Sequence, residues 1–264
     1  MIDPEPAPVL PAPLLDDTQV HIWLTDPGRV TDSATLEAYD AIMTSEEREK
    51  QRRFRFERDR HDCLVTRALV RTTLSRYAAV PPTAWRFVHN RYGRPHLPPG
   101  QCDRDLRFNV SHTRGLIACA VTLGHEIGVD VEFMSRPGKT VEVADRYFSA
   151  SEIGSLRALP AERRRERFFE YWTLKESYIK ARGMGLALPL AQFSLVLDGT
   201  PGIGIVFDTR LADDARHWQF ELMRPTPEHM LALGVQRNPG ADLDIRVMRT
   251  VPLLEGSPDA PSAP

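Results

Sequence analysis

The chain is short of cysteine, of net charge and of long apolar runs, and each shortage argues against a class of protein. Its 264 residues include three cysteines, Cys63, Cys102 and Cys119, without the paired spacing of a zinc site or a disulfide framework. The net charge of −2 argues against nucleic-acid binding by the chain as a whole. The longest apolar run, 116–121, is far too short to cross a bilayer.

The first residues also lack the basic stretch with which a secretory signal peptide begins. Hydrophobic residues make up 42% of the chain and charged residues 27%, the balance of a globular protein. We therefore expect a soluble cytoplasmic protein that binds neither nucleic acid nor membrane. The segments 1–16 and 255–264 are rich in proline and are predicted to be disordered tails.

Apolar periodicity predicts a long helix twice, at 59–79 and at 161–182, each followed along the chain by a hairpin of apolar strands. The hairpin strands are predicted at 106–110, 116–123, 218–223 and 230–235. This repetition predicts an α+β fold of two similar, pseudo-symmetric lobes, each a long helix packed on a small, mainly antiparallel sheet. The lobes are predicted at 17–125 and 126–254, with the active site in the cleft between them. Coincidence between two common motifs is the alternative.

A predicted strand at 127–133 carries the first candidate site. Asp130 and Glu132 face one side of this strand, and the valines beside them face the other. Two carboxylates on one strand face repel each other. Mg²⁺ is a natural ion to sit between them, because it prefers oxygen ligands and often shares them with substrate phosphates. A solvated strand face is the alternative.

The second candidate site lies on the predicted helix 161–182. Trp172, Glu176 and Lys180 recur every four residues and therefore share one helix face. Glu176 suits a third oxygen ligand or a general base, and Lys180 suits an anion contact. A surface Glu–Lys pair is the alternative.

A polar turn predicted at 111–115 is the third candidate. The hydroxyl of Ser111, the imidazole of His112 and the backbone N–H groups of such a turn can hold a phosphate. A Ser–His nucleophile pair is the alternative, although adjacent residues rarely align as nucleophile and base.

Together these stretches resemble the 4'-phosphopantetheinyl transferase family, in the monomeric type that activates peptide and polyketide synthetases. The resemblance covers roughly residues 44–197. It rests on the order and spacing of four motifs: NVSH at 109–112, GVDVE at 128–132, RYFS at 146–149 and WTLKESYIKA at 172–181.

The resemblance implies a Mg²⁺-dependent enzyme that binds CoA in the cleft. It would transfer the 4'-phosphopantetheine arm to a serine hydroxyl of an apo carrier protein and release adenosine 3',5'-bisphosphate. The implied metal ligands are Asp130, Glu132 and Glu176. The implied catalytic residues are Glu176, Lys180 and His112. The implied CoA contacts are Lys50, Arg53, Arg94, Asn109, Ser111, His112 and Lys180, with Lys50 and Arg94 at the 3'-phosphate or its surroundings.

Two positions depart from the family pattern. Glu47 stands three residues before Lys50, where the family often has a basic residue. Cys63 stands at the position of an adenine-proximal threonine. Both belong to the region expected to hold the nucleotide end of CoA.

The implied partner is an apo acyl or peptidyl carrier protein, docking near Met134 to Phe148, and the enzyme is expected to be a monomer. Two other functions fit the same residues. One is a Mg²⁺-dependent phosphohydrolase acting on CoA or nucleotides. The other is an RNA- or partner-binding module built on the arginine-rich stretch 48–60, where acidic residues nearly cancel the charge.

Overall fold

The computed structural model describes residues 14–138, 140–197 and 202–253. Its strands are β1 Gln19–Thr25, β2 Val88–His89, β3 Pro95–His96, β4 Leu106–Thr113, β5 Leu116–Leu123, β6 Ile127–Phe133, β7 Phe193–Val196, β8 Gly204–Phe207, β9 Trp218–Thr226, β10 His229–Gln236 and β11 Asp244–Arg249. Its α-helices are α1 Ser33–Ile42, α2 Ser45–Arg52, α3 Glu57–Ser75, α4 Thr140–Tyr147, α5 Ala150–Ala158 and α6 Ala161–Arg182.

Two sheets organise these elements. The first has the strand order β11-β1-β5-β4, and the second has the order β6-β10-β9. The pairs within them are antiparallel except for β1 with β11, which is parallel. Apolar side chains of α3 pack on the first sheet, and those of α6 pack on the second. The predicted α+β fold, with a long helix packed on a small sheet in each lobe, is confirmed.

A third apolar cluster joins the lobes. Alternation along β1 sends Val20, Ile22 and Leu24 inward, where they meet Val129 and Val131 of β6. All five side chains are at most 2% exposed. The two sheets therefore share one apolar interface, and the rim of this interface is where polar side chains from both lobes can meet.

The predicted boundaries need two corrections. β4 continues through Thr113, so the residues expected to form a polar turn are in a strand, and the turn is confined to Arg114 and Gly115. In addition, residues 244–249 fall within the range predicted for the second lobe, yet they form β11, which pairs with β1 of the first.

Most of the two predicted tails lies outside the described residues. The N-terminal tail was predicted through residue 16, yet Leu15 is buried in the core of the first lobe. No helix within the described ranges combines the length and the apolar character needed to cross a bilayer.

Candidate active site

Helix α6 crosses β6 at very close range because residue 128 is a glycine. A Cβ atom at Gly128 would lie 2.0 Å from the carbonyl oxygen of Ser177 and 2.4 Å from the backbone nitrogen of Ala181. No other residue type fits this crossing without displacing the helix. The close approach brings the polar face of α6 against the acidic edge of β6.

Lys180 is the centre of the resulting cluster. Its Nζ donates to Oδ1 of Asp130 at 2.6 Å, to Oγ of Ser111 at 2.8 Å and to the carbonyl of Val129 at 3.2 Å. Ser111 in turn donates to the same Asp130 oxygen at 3.0 Å. One lysine from the second lobe therefore binds a hydroxyl from the first lobe and neutralises one oxygen of Asp130.

Side chains of β4 satisfy the free edge of β6. The side-chain oxygens of Asn109, Ser111 and Thr113 each accept a hydrogen bond from a β6 N–H, at 2.9, 3.3 and 3.2 Å. This explains why polar residues continue the strand beyond Val110. Asn109 is 5% exposed, and its side-chain oxygen holds the β6 backbone at Val129.

The three predicted carboxylates differ in how many hydrogen-bond and ion-pair partners they already have. Glu132 accepts from Nε1 of Trp172 at 2.9 Å and pairs with Arg136 at 3.1 Å. Oδ2 of Asp130 is buried and has no partner. Glu176 accepts no hydrogen bond from the described part of the chain. Two acidic groups therefore retain unused lone pairs at the same junction.

Burial, followed by the nearby charge of Asp130, raises the pKa of Glu132 and of Glu176 to about 7. Three carboxylates, Asp130, Glu132 and Glu176, face two cations, Lys180 and Arg136, so acidic groups are in excess at the junction. Among the described residues, no three His, Cys, Asp or Glu side chains form a ready-made metal-binding group. The unpartnered oxygen of Asp130 and the oxygen-only donors nevertheless fit a hard divalent cation such as Mg²⁺.

His112 lies at the end of β4, beside this cluster. Its ring remains accessible to solvent, while the surrounding protein lowers its pKa. Asp62 and Lys180 act on it in opposite directions, since Asp62 favours the protonated form and Lys180 disfavours it. His112 therefore lies within the electrostatic influence of Lys180.

Arg94 is held by contacts at the boundary between the two lobes. Its guanidinium pairs with Glu126 at 2.5 Å and donates to the carbonyls of Ala181 and Ile127 at 2.6 and 3.0 Å. It ties the β2–β3 hairpin to α6 and lines an open cavity of about 910 Å³. None of the three carboxylates lines that cavity, so the cavity is separate from the candidate site.

Lys50 and Arg53 lie on the exposed surface at the end of α2. Arg53 pairs with Glu49 at 2.6 Å. Sequence reasoning missed the contacts of Trp172 and Arg136 with Glu132, although the position of Trp172 four residues before Glu176 was a signal for the first of them.

Comparison with known proteins agrees with this geometry. The model of the 4'-phosphopantetheinyl transferase superfamily matches residues 126–233, which contain β6 and α6. A second model, the N-terminal part of 4'-phosphopantetheinyl transferase, matches residues 31–123. The 4'-phosphopantetheinyl transferase HetI of Nostoc is 35% identical over 66% of this chain and 72% of its own length. The chain belongs to the 4'-phosphopantetheinyl transferase superfamily.

Other relatives of the transferase come from distant organisms. A 4'-phosphopantetheinyl transferase of Bacillus subtilis is 38% identical over 60% of this chain and 67% of its own length. A phosphopantetheinyl transferase of Thraustochytrium is 32% identical over 83% of this chain and 79% of its own length. The resemblance inferred from the four sequence motifs is thereby confirmed.

Proposed function

We propose that this transferase moves the 4'-phosphopantetheine arm of CoA onto a serine hydroxyl of an apo carrier protein. The observation that carries the proposal is the junction of β4, β6 and α6. There, Lys180 binds both Ser111 and Asp130, and these residues lie in the two parts of the chain that match models of 4'-phosphopantetheinyl transferases. The products are the holo carrier protein and adenosine 3',5'-bisphosphate.

Glu176 is proposed to take the proton of the attacking hydroxyl. Its carboxylate has no hydrogen-bond partner among the described residues, and its pKa of about 7 suits a general base at neutral pH. The serine oxygen then bonds to the phosphorus that bears pantetheine, and the bond from that phosphorus to the bridging oxygen breaks. The bridging oxygen leaves with adenosine 3',5'-bisphosphate.

Lys180 and His112 are proposed to bind the phosphoryl oxygens, where negative charge increases during transfer. Asp130 and Ser111 hold Lys180 at the junction, and its ammonium would exchange one of its three present contacts for a phosphoryl oxygen. Asp130, Glu132 and Glu176 would hold Mg²⁺, which when bound supplies positive charge to the same oxygens. Glu176 is thus proposed as both ligand and base, two roles that use the same oxygens.

The carrier is proposed to dock on the segment Met134 to Phe148, which leaves β6 at the acidic junction. Within this segment Tyr147 packs edge-on against Trp172, the residue that binds Glu132. Arg146 is exposed and available to an acidic partner, whereas Lys139 lies outside the described residues. Since one chain provides both lobes of the site, we propose that the enzyme is a monomer. We also propose that it acts in the cytoplasm.

Arg146→Glu tests this docking surface. Because Arg146 is exposed and rim charges mainly affect association, the variant should raise KM for the carrier and leave KM for CoA unchanged. Arg216→Glu, 78% exposed in the second lobe, is the matched control. Arg136 is a poor probe because its ion pair with Glu132 would change too. Unchanged carrier kinetics at low salt would place docking elsewhere.

Incubation with CoA, Mg²⁺ and a panel of apo carrier proteins tests the function itself, read by the intact mass of each carrier. Transfer adds the mass of phosphopantetheine to at least one carrier and requires CoA. Cleavage of CoA without any carrier would instead favour the phosphohydrolase. Binding of RNA with a steep salt dependence would favour the third function.

A further inference from the structure

We infer that Arg67, on α3, is the side chain with which this enzyme recognises the 3'-phosphate of CoA. The inference rests on the proposed function, because it concerns the nucleotide end of the same substrate. Glu47 occupies a position at which the family often has a basic residue, and Arg94 is held by contacts between the lobes, so neither residue is free to bind the 3'-phosphate.

Glu47 is held inside the first lobe. Its Oε2 accepts from Nη2 and Nε of Arg71 at 2.7 and 3.1 Å and from the backbone N–H of Thr44 at 3.0 Å. The Glu47 side chain is 11% exposed and that of Arg71 only 1%. Glu47 therefore caps α2 and joins it to α3, and its carboxylate is not available to a nucleotide.

Arg67 lies one helical turn before Arg71 on α3, and both side chains face Glu47. Its Nε is 3.8 Å from the other Glu47 oxygen, beyond a hydrogen bond, and 29% of its side chain is exposed. One carboxylate thus faces two guanidinium groups, of which the buried one binds it closely. The local charge of this trio is +1, and the excess is on the accessible member.

Other cations continue from Arg67 in both directions. Lys50 is exposed on α2, one turn after Glu47, and the positive charges of Lys50 and Arg67 both disfavour protonation of His89. On the other side, the charges of Arg67 and Lys180 both act on His112, and the acidic groups Asp62 and Asp59 act on it in the opposite direction. Arg67 therefore lies within electrostatic reach of His112, at the proposed phosphoryl-transfer site, and of His89, near the end of α2.

The charges of CoA are distributed in a matching way. Its pyrophosphate carries one group of negative charges, and its 3'-phosphate carries a second group on the adenosine ribose. With the pyrophosphate at Lys180 and His112, the 3'-phosphate has a cationic site at Arg67, with the charge of Lys50 nearby. A guanidinium also offers the paired N–H groups that bind phosphate oxygens in a fixed geometry.

The test compares CoA with 3'-dephospho-CoA as donors for the wild-type enzyme and for Arg67→Ala, Arg67→Lys and Lys50→Ala. For Arg67→Ala, KM for CoA should rise about tenfold or more, because the loss of one charge-assisted hydrogen bond weakens binding by about that factor. Its KM for 3'-dephospho-CoA should stay near the wild-type value, and kcat should change little. Arg67→Lys should retain part of the preference for CoA.

Arg163→Ala, which removes a 65% exposed arginine of α6, is the matched control and should leave both KM values unchanged. Calorimetry gives a second measurement, because Arg67→Ala should weaken binding of adenosine 3',5'-bisphosphate but not of adenosine 5'-monophosphate. Arg71 still pairs with Glu47 in this variant, so the fold is expected to persist, and circular dichroism checks this.

Two results would overturn the inference while leaving the proposed function intact. One is equal weakening of both donors by Arg67→Ala. The other is a preference for CoA that Lys50→Ala removes and Arg67→Ala does not. Failure of the wild-type enzyme to modify any carrier would instead refute the proposed function.

Discussion

Lys175, which immediately precedes Glu176, should be among the side chains on which the stability of the transferase most depends. It is fully buried, and its Nζ contacts Oε2 of Glu152 at 2.8 Å. It also donates to the carbonyls of Leu190 and Phe193, both at 2.7 Å. Lys175→Met keeps a flexible apolar chain of similar length and removes the charge together with all three contacts.

The expected loss can be worked out from burial. The two charged side chains are 0% and 1% exposed, and breaking such a pair leaves an uncompensated buried charge, which costs about 3–5 kcal/mol. The Glu152 carboxylate would keep two backbone donors, Ser149 and Leu195, both at 2.9 Å, so we expect the lower part of this range. Burial already lowers the pKa of Lys175 to about 8, despite the nearby carboxylate.

Removal of both charges should therefore be less harmful than the two single changes suggest. In a cycle of Lys175→Met, Glu152→Gln and the double variant, we expect a coupling energy of about 1–3 kcal/mol. Urea titration at pH 7, followed by tryptophan fluorescence, measures all three variants. Arg157→Met is the control, because its pair with Asp145 is 60% and 45% exposed and should contribute only about 0–1 kcal/mol.

Equal losses for Lys175→Met and Arg157→Met would refute the argument from burial. Additive losses in the cycle would show that Lys175 and Glu152 stabilise the fold independently.

Three further predictions concern the crossing of α6 and β6. Gly128→Ala should destabilise the protein by about 1–3 kcal/mol or more in urea titration, because the new methyl group meets the backbone of Ser177; an unchanged midpoint would contradict the close approach. Asp130→Ala and Glu176→Ala should each abolish carrier modification while circular dichroism stays unchanged; near-normal turnover of Asp130→Ala at saturating Mg²⁺ would show that the metal site is misassigned. If the proposed ligands Glu132 and Glu176 bind Mg²⁺, the ion has to displace their protons, and the pKa values of both are about 7. The half-saturating Mg²⁺ concentration for carrier modification should then fall as pH rises from about 6 to 8. A constant value over this range would contradict that assignment.

Much of the fold could be predicted because local patterns agree with it. The bounds of α6 and β6 match the prediction, since α6 begins after Pro160 and ends at a glycine with φ of +62°. β11 was missed, because its residues are largely exposed and its partner β1 is more than 200 residues away in the chain. Pairing over such a distance leaves no local signal in the sequence.

The candidate site was predictable as a set of residues but not as a set of contacts. Alternation on β6 and the four-residue spacing on α6 identified the acidic groups and Lys180. The bond from Lys180 to Asp130 depends on how closely α6 approaches β6, and a pattern within one element does not specify this distance. Arg94 shows the same limit, since its place in a motif did not reveal that it joins the lobes.

The parallel pairing of β11 with β1 determines when the first lobe can be completed during synthesis. Val20 and Ile22 lie beside Ile245 and Val247, so this edge of the first sheet stays open until residues 244–249 have left the ribosome. A fragment ending near residue 125 would therefore expose an unpaired strand edge, the kind of surface from which aggregation begins. The three strands of the main sheet of the second lobe, β6, β9 and β10, are all made before β11. The sheet of the second lobe can therefore be completed before that of the first.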